Sequence, residues 1–182
     1  MSQRIKAIET CYDGYRFRSR LEARWAVFFN QIDLEYEYEV DGFEMDEICY
    51  LPDFYIPSLD RWIEIKGQPL TLSEIQKCEE FCRRKNSDNI KFSILIGAPK
   101  LLTLKGEDFS ILGLREYTWE WPSSRYPEDT LILADGLTKE TYYSRFLPAI
   151  WKINGVDDKL LIDAIREARS ARFEFGETPK VR

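Results

Sequence analysis

Three charged side chains in the middle of the chain have the types and the spacing to do chemistry together. Asp53 lies in an aromatic run at residues 50–56, and Glu64 and Lys66 lie two residues apart in a second run at residues 61–67. Carboxylate oxygens are the ligands that Mg²⁺ prefers. A lysine beside them can orient or deprotonate a water molecule. This combination is suited to metal-assisted hydrolysis of a phosphodiester bond.

The two runs must pair if these side chains are to meet. Both are rich in aromatic and β-branched residues, which favour strands, and residues 57–60 between them have the composition of a turn. The pattern predicts a β-hairpin, in which the period of two places Glu64 and Lys66 on one face. Pro52 lacks an N–H and suits a strand start, so that Asp53 can meet the pair from the neighbouring strand. The plainer interpretation is a surface ion pair of Glu64 and Lys66, with Asp53 as a solvated acid.

A helix before the hairpin supplies a further acidic residue. The residues from Ser19 to Glu22 match a capping box, and apolar residues follow at helical spacing from Leu21 to Ile32. Glu22 borders this apolar stripe, so we expect its side chain to point toward the side that faces the sheet. Two roles are open for Glu22: a helix cap only, or a cap that also lies near a metal ion.

The elements around the hairpin predict a mixed sheet. Residues 35–40 alternate strictly between glutamates and apolar residues, which is typical of a half-exposed strand whose glutamates are solvated. A helix capped by Thr71 or Ser73 then leads to an apolar strand at residues 90–96, typical of a buried position. Because a crossover helix joins the two strands, this strand should run parallel to the strand of Glu64.

The motif residues resemble those of a known superfamily. The pair Pro52-Asp53 followed by Glu64-Ile65-Lys66 resembles the core motif of the PD-(D/E)XK nucleases, and residues 15–22 add the helix-borne glutamate seen in many members. Together the segments are similar to small nucleases of bacteria and phages, and to the endonuclease subunit of Tn7-type transposases. The resemblance covers roughly residues 12–97, about half of the chain.

This resemblance implies a fold and a domain layout. The expected fold is an α/β restriction-endonuclease-like core of order αβββαβ, in which helices flank a mixed central sheet. The core would occupy residues 1–98, and residues 99–182 would form a C-terminal α+β extension that packs on the core. From their own patterns, the elements of the extension are a hairpin of residues 101–104 and 109–114, a loop at 119–127, a strand at 131–134, a short helix at 141–151 and a basic amphipathic helix at 157–173.

The resemblance also implies an activity and its residues. The expected activity is that of a Mg²⁺- or Mn²⁺-dependent endonuclease that hydrolyses DNA. By analogy with the family, Asp53, Glu64 and the backbone carbonyl of Ile65 would hold the metal ion, with Glu22 as a further candidate ligand. Lys66 would complete a catalytic set formed with these three acidic residues.

The net charge of −6 argues against a protein that coats nucleic acid by charge alone. Basic residues are nevertheless clustered, and a rim of them around an acidic centre is what a phosphate-binding surface requires. Ordinary solvated helix faces are the alternative for each cluster. The candidate nucleic-acid-binding residues are Arg18, Arg20, Arg24, Gln68, Arg166, Arg169 and Arg172.

The composition predicts a globular protein of a cytoplasm. Apolar residues make up 44% and charged residues 32% of the chain, and no apolar run approaches the ~18 residues that span a bilayer. The first residues lack the apolar region of a secretory signal, so we expect a bacterial or phage-infected cytoplasm and no membrane partner. The four cysteines, without any histidine, fit reduced and mostly packed thiols better than a zinc site.

Three functions from different classes are consistent with these patterns. The first is an active DNA nuclease. The second is a non-catalytic nucleic-acid- or protein-binding module that keeps a nuclease fold, because fold does not imply function. The third is a nuclease that acts only inside a larger machine, such as a transposase or packaging complex, whose other members supply affinity for DNA. The intact set of Asp53, Glu64 and Lys66 counts against the second. The expected partners besides DNA are a second copy of the chain, as a homodimer, or a larger nucleoprotein complex.

Overall fold

The architecture is given by a computed structural model, which describes residues 7–45, 48–68, 70–71, 73–74, 77, 91–99, 101–103, 110–112, 115–119, 132–134 and 156–174. These residues form a mixed α/β fold with a six-stranded mixed sheet, three two-stranded sheets and two helices of defined bounds. The predicted α/β class with a mixed sheet is therefore confirmed.

The described strands are short and are numbered in chain order. In the first half of the chain they are β1 (Thr10–Tyr12), β2 (Tyr15–Phe17), β3 (Glu37–Tyr38), β4 (Phe43–Met45), β5 (Ile48–Tyr50), β6 (Phe54–Ile56) and β7 (Arg61–Lys66). In the second half they are β8 (Lys91–Ile96), β9 (Leu101–Thr103), β10 (Ser110–Leu112), β11 (Arg115–Trp119) and β12 (Ile132–Ala134). The helices are α1 (Arg20–Gln31) and α2 (Asp158–Ser170).

The six-stranded sheet has the order β12-β11-β8-β7-β6-β3. Strands β7 and β8 run parallel, whereas the other neighbouring pairs of this sheet are antiparallel. The parallel pair predicted from the crossover is therefore confirmed. Most of the crossover lies outside the described residues, but its start is a capping box, because Glu74 accepts the N–H of Thr71 at 2.8 Å and donates its own N–H to the Thr71 hydroxyl at 3.3 Å.

The predicted hairpin is formed by β6 and β7. Phe54 pairs with Ile63 across the antiparallel strands, and a 3-10 turn at Pro57–Leu59 connects them. Pro57 suits the first position of this turn because its φ is fixed near the helical value. Asp60 closes the turn in the left-handed region at φ 47°, which aspartate tolerates better than most residues.

Helix α1 begins at the predicted capping box and lies directly on the hairpin. Ser19 has the extended backbone of an N-cap residue, and its Oγ accepts the N–H of Glu22 at 3.2 Å. The buried face of the helix is strongly aromatic. From this face the ring of Phe29 packs edge-on against Phe54 of β6, with 5.3 Å between the ring centroids.

Strands from the C-terminal half complete the central sheet. The predicted hairpin is confirmed as β9 and β10, and the predicted strand at residues 131–134 is confirmed as β12. The sequence pattern does not predict β11, which pairs with the edge of β8 that β7 leaves free. The assignment of Trp119 to a loop is therefore wrong, because Tyr117, Thr118 and Trp119 favour a strand and pair with β8, and Thr118 and Tyr117 also pair with β12.

Helix α2 confirms the predicted amphipathic helix at residues 157–173. Asp157 caps it by accepting the N–H of Leu160 at 2.7 Å. Helix α2 packs against α1, and its buried residues belong to the same hydrophobic core as those of α1 and of the β6–β7 hairpin. The buried residues of α2 are Leu161, Ala164, Ile165 and Ala168.

The remaining predictions have mixed outcomes. The helix predicted at residues 141–151, Cys78 and Cys82 lie outside the described residues. Cys11 and Cys49 are free and exposed, so the prediction of packed thiols is wrong for these two. Strands from both sides of residue 98 share the central sheet, and the division of the chain there stays a prediction. No helix within the described ranges is long and apolar enough to cross a membrane.

Candidate active site

The side chain of Asp53 is fixed against the neighbouring strand of the hairpin. When the register of β6 and β7 is continued, Ile65 lies opposite Pro52, where β6 has not yet begun. The Asp53 carboxylate fills this position, since its Oδ2 accepts the backbone N–H of Ile65 at 2.7 Å. The N–H of Ile65, which in a longer hairpin would bond to the backbone of the opposite strand, thus holds the buried Asp53 carboxylate beside β7.

Glu64 and Lys66 form an ion pair on one face of β7. Lys66 Nζ lies 2.6 Å from Glu64 Oε1, as the alternation of strand side chains predicts. The other oxygen, Glu64 Oε2, is buried and has no hydrogen-bond partner among the described residues. The plainer interpretation of a solvated surface pair is therefore wrong, because Glu64 and Asp53 are both buried. The Lys66 side chain is 32% exposed, which leaves its ammonium within reach of a ligand.

Arg18 bridges the hairpin and the start of α1. Its Nη2 donates to Asp53 Oδ1 at 3.1 Å, and its Nε forms an ion pair with Glu39. The backbone N–H of Arg18 is shared between Glu22 Oε2 and the hydroxyl of Tyr38, at 3.0 Å from each. The side chain is 54% exposed, so part of the guanidinium faces solvent while another part holds Asp53.

Both oxygens of Glu22 are engaged. Oε1 accepts a hydrogen bond from Ser19 Oγ at 2.5 Å, and Oε2 accepts from the Tyr38 hydroxyl at 2.6 Å and from the Arg18 N–H. In a usual capping box this carboxylate would accept the N–H of the N-cap residue, Ser19. Here it accepts the N–H of Arg18, one residue earlier in the chain. Glu22 thus faces the sheet, as expected, and acts on the site through its charge and through Arg18. A direct contact of Glu22 with a metal ion stays a prediction.

The two buried acids are harder to ionise than ordinary carboxyls. Burial, followed by the charges of Glu64 and Glu22, raises the pKa of Asp53 well above its usual value, although the hydrogen bond from the Ile65 N–H and the charge of Arg18 lower it in part. Burial likewise raises the pKa of Glu64, against the opposing charge and hydrogen bond of Lys66, the hydrogen bond of Tyr50 and the charge of Arg18. Two neighbouring carboxylates that are both disfavoured as anions gain from a cation placed beside them.

Lys66 stays protonated at neutral pH. Burial lowers the pKa of Lys66, but the charge and hydrogen bond of Glu64, together with the charge of Asp53, outweigh this effect and raise the pKa above its ordinary value. The ammonium is therefore a hydrogen-bond donor. Of the two roles that the sequence leaves open for Lys66, orienting a water molecule fits this protonation state in the metal-free protein, and deprotonating it does not.

Two residues of the site are not predicted by the sequence pattern. The Tyr38 hydroxyl donates a hydrogen bond to Glu22, whereas the alternation of residues 35–40 predicts only that Tyr38 packs in the core. Glu39 is expected as a solvated acid, which is wrong, because its side chain is only 26% exposed and pairs with Arg18. Its backbone lies in the left-handed region at φ 49°, and its N–H donates to the carbonyl of Asp53 at 3.0 Å. The alternation describes a strand, and the chain leaves β3 just before Glu39.

The other predicted basic residues near α1 have different environments. Arg20 forms an ion pair with Glu174 at 2.7 Å, which ties the segment after α2 to the start of α1. Arg24 is half-buried, and its Nε is buried without an acceptor in the described part of the chain. Gln68 is exposed and lies two residues beyond Lys66. Their contacts with nucleic acid stay predictions.

Two of the three C-terminal arginines lie on the exposed face of α2, and the third directly follows the helix. Arg166 pairs loosely with Asp163 at 3.5 Å, and Arg169 donates to the carbonyl of Pro99 at 3.3 Å. Arg172 is exposed just after the helix ends. None of the hydrogen bonds or ion pairs found for these described residues joins them to Asp53 or Glu64.

Metal-ligating side chains are limited to a pair of acids in this site. Among the residues that the structure describes, no group of three or more histidine, cysteine, aspartate or glutamate side chains is arranged to hold a metal ion. A cation at Asp53 and Glu64 would therefore need oxygen ligands of another kind, such as a phosphate or water. The predicted backbone carbonyl of Ile65 belongs to this class, and its role stays a prediction.

Similarity to known proteins does not assign the site. No family model, no curated protein and no solved structure matches this chain. The function is therefore argued from the residues and their geometry.

Proposed function

We propose that the protein is a divalent-metal-dependent nuclease that hydrolyses phosphodiester bonds in DNA, built on a restriction-endonuclease-like core of the PD-(D/E)XK kind. One observation carries the proposal: Asp53, which directly precedes β6, and Glu64 of β7 are buried neighbours whose charges interact, with the Lys66 ammonium 2.6 Å from Glu64. Helix α1 and strands β3, β6, β7 and β8, with the parallel pair at β7 and β8, are the elements such a core would need.

The residues fit a divalent cation. Glu64 Oε2 is buried without a hydrogen-bond partner among the described residues, although Tyr50 donates to the Glu64 carboxyl group, and a buried oxygen of this kind costs free energy unless a ligand satisfies it. Asp53 supplies the second carboxylate, and the cost of holding two buried anions falls when a cation lies beside them. When bound, Mg²⁺ or Mn²⁺ supplies charge neutralisation and polarisation of a phosphoryl oxygen.

The protein's own groups then have distinct roles. Asp53 is oriented by the Ile65 N–H, which leaves Oδ1 as the oxygen not bonded to β7. Lys66 donates from its ammonium to a water molecule or a phosphoryl oxygen. Glu22 fixes the start of α1 and the backbone of Arg18. Basic residues around this centre, from Arg18 to Arg24 and with Gln68, would contact phosphates beside the cleaved bond.

A partner and a cellular location follow from the same proposed activity. A net charge of −6 gives little unspecific attraction to DNA, so a second copy of the chain or a larger nucleoprotein complex would supply part of the affinity. The cytoplasm of a bacterial or phage-infected cell is the proposed location, since DNA is the substrate.

A cleavage assay tests the proposal. Purified protein with Mg²⁺ or Mn²⁺ is incubated with linear, supercoiled, branched and single-stranded DNA, and we expect cleavage that EDTA abolishes. Lys66→Ala should slow cleavage by at least ~10²-fold, because a positioned donor of this kind contributes about that much. It also leaves the buried Glu64 without its cation and should lower the melting temperature, so the rates are compared at a temperature where both proteins are folded. Lys159→Ala, at an exposed lysine of α2, is the matched control.

Two results would contradict the assignment. Cleavage by Lys66→Ala at the wild-type rate would remove Lys66 from the chemistry. Binding of DNA without cleavage, under every metal condition, would instead indicate a non-catalytic binding module.

A further inference from the structure

Arg18 contacts the oxygen of Asp53 that a metal ion would need. Asp53 Oδ2 accepts the N–H of Ile65 at 2.7 Å, so that oxygen is committed to the hairpin. The remaining oxygen, Oδ1, accepts from Arg18 Nη2 at 3.1 Å. In the structure, therefore, the cation that neutralises Asp53 is an arginine of the protein itself.

Arg18 is held in this position from two sides. Its Nε pairs with Glu39, whose backbone lies in the uncommon left-handed region at φ 49°. Its backbone N–H is fixed by Glu22 and Tyr38. Several independent contacts therefore hold the Arg18 guanidinium against Asp53. A flexible surface arginine that approached Asp53 by chance would lack these contacts.

We propose that Arg18 is an internal counter-ion of the site, which a divalent cation must displace from Asp53 Oδ1 in order to bind. This inference rests on the proposed metal-dependent function. Glu39 can keep its contact with Nε while Nη2 leaves Asp53, so the freed end of the guanidinium stays beside the site. Because the side chain is 54% exposed, the freed Nη2 can then donate a hydrogen bond to a phosphate oxygen. Metal binding and phosphate binding are coupled through this exchange.

A competing Arg18 and a supporting Arg18 predict opposite changes in the affinity for Mn²⁺ when the arginine is removed. If Arg18 competes with the metal, Arg18→Ala binds Mn²⁺ more tightly in the absence of nucleic acid, because a like charge and a competing donor are removed. The half-exposed guanidinium is screened by solvent, so we expect the dissociation constant to fall by about tenfold, or about 1.4 kcal/mol. If Arg18 instead served to hold Asp53 in place for the metal, the same change would weaken binding.

The experiment is a titration of the full chain with Mn²⁺, followed by electron paramagnetic resonance of the free ion, without DNA. Arg18→Ala and Arg18→Gln are both measured, and both leave the backbone N–H of residue 18 available to Glu22 and Tyr38. The matched control is Arg16→Ala, which removes an exposed arginine that pairs with Glu9, the residue before β1. We expect tighter binding for both Arg18 variants and wild-type binding for the control.

The outcomes separate this inference from the proposed function. Mn²⁺ that binds the wild type and the Arg18 variants equally, or binds the variants more weakly, overturns the counter-ion role and leaves the metal site standing. Tighter binding in Arg16→Ala to the same degree would show an effect of net charge and would also overturn it. Failure of Mn²⁺ to bind any of these proteins overturns the metal site and the counter-ion role together.

Discussion

At Asp53 the protein both stabilises and penalises the same negative charge. The N–H of Ile65 and the guanidinium of Arg18 favour the carboxylate, whereas burial and two neighbouring acids disfavour it and raise its pKa on balance. A raised pKa means that the folded protein holds this proton at a pH where the unfolded chain has released it. The contribution of Asp53 to the free energy of unfolding is therefore most favourable below the unfolded value of ~4, and it is lost as the pH rises through the folded pKa.

Asp53→Asn should accordingly stabilise the metal-free protein at neutral pH. We expect a gain on the order of 1 kcal/mol at pH 7 to 8, since one pKa unit corresponds to about 1.4 kcal/mol, and little or no gain near pH 4. The amide oxygen can still accept the N–H of Ile65, while the amide NH2 then faces Nη2 of Arg18, whose side chain is half-exposed and has to turn toward solvent, so the gain is smaller than the burial of the charge alone would give. Thermal melts across this pH range measure the effect, with the exposed acid Glu37 changed to glutamine as the control. A variant that is less stable at neutral pH would show that the ionised carboxylate supports the fold.

Glu22→Gln should cost stability and activity by different amounts. Glutamine can place its oxygen toward Tyr38 and Arg18 and its amide toward Ser19, which can rotate its hydroxyl to accept. We therefore expect a loss of about 1 kcal/mol, in the range of a weakened cap, and a loss of nuclease rate of at least ~10²-fold through the missing charge beside Asp53. Ser19→Ala, which weakens only the cap, is the control for the two measurements. Equal losses of rate in both variants would return Glu22 to a purely structural role.

At the scale of elements, the structure agrees with the sequence wherever the determining contacts are local. The β6–β7 hairpin, the Ser19 cap and the α2 stripe each follow from spacing within a few residues. The alternation of residues 35–38 is likewise present in their burial. The pairing of Asp53 with Glu64 across the hairpin could be predicted for the same reason.

The contacts that escape prediction join residues far apart in the chain. Arg18 and Asp53 are separated by 35 positions, and β11 is defined by its register with β8. Periodicity carries no information about such partners. The turn of Glu39 toward Arg18 depends on a left-handed backbone that glutamate does not favour by itself.

The exposed face of α2 provides a prediction about DNA affinity. Arg166 and Arg172 have loose or no partners among the described side chains, whereas Arg169 supports the fold by its bond to Pro99. In a catalytically inactive protein, changing Arg166 and Arg172 to alanine should lower the slope of log affinity against log salt by roughly 0.9 for each lost phosphate contact. Binding to duplex DNA across a salt series measures this slope. An unchanged slope would indicate that this face is solvated or contacts protein.

At the scale of the whole molecule, the second half of the chain supplies part of the central sheet and part of the hydrophobic core. Strand β11 covers one edge of β8, and α2 covers α1 with a buried apolar face. The residues of the candidate site all lie before residue 98, but the sheet and core that hold them do not end there.

A fragment of residues 1–98 should therefore fail to fold as a monomer. It would expose the apolar edge of β8, which favours association, together with the face of α1 that α2 covers. Circular dichroism and size-exclusion chromatography should show lost cooperativity or aggregation. A fragment of residues 1–174 keeps every described element and is the control, for which we expect a cooperative melt. A well-folded monomer of residues 1–98 would establish the first half as an independent domain.

The indole of Trp25 joins α1 to the end of β8, because its N–H donates to the carbonyl of Gly97 at 2.9 Å and the ring is wholly buried. This proton can exchange with deuterium only when the helix separates from the sheet, and the same motion carries Glu22 and the backbone of Arg18 away from Asp53. The exchange rate of one proton, followed by NMR, thus reports how often the complete site opens and closes. If the opening is local, exchange of the Trp25 proton will be faster than global unfolding allows. If the site opens only with the whole protein, the two rates will coincide.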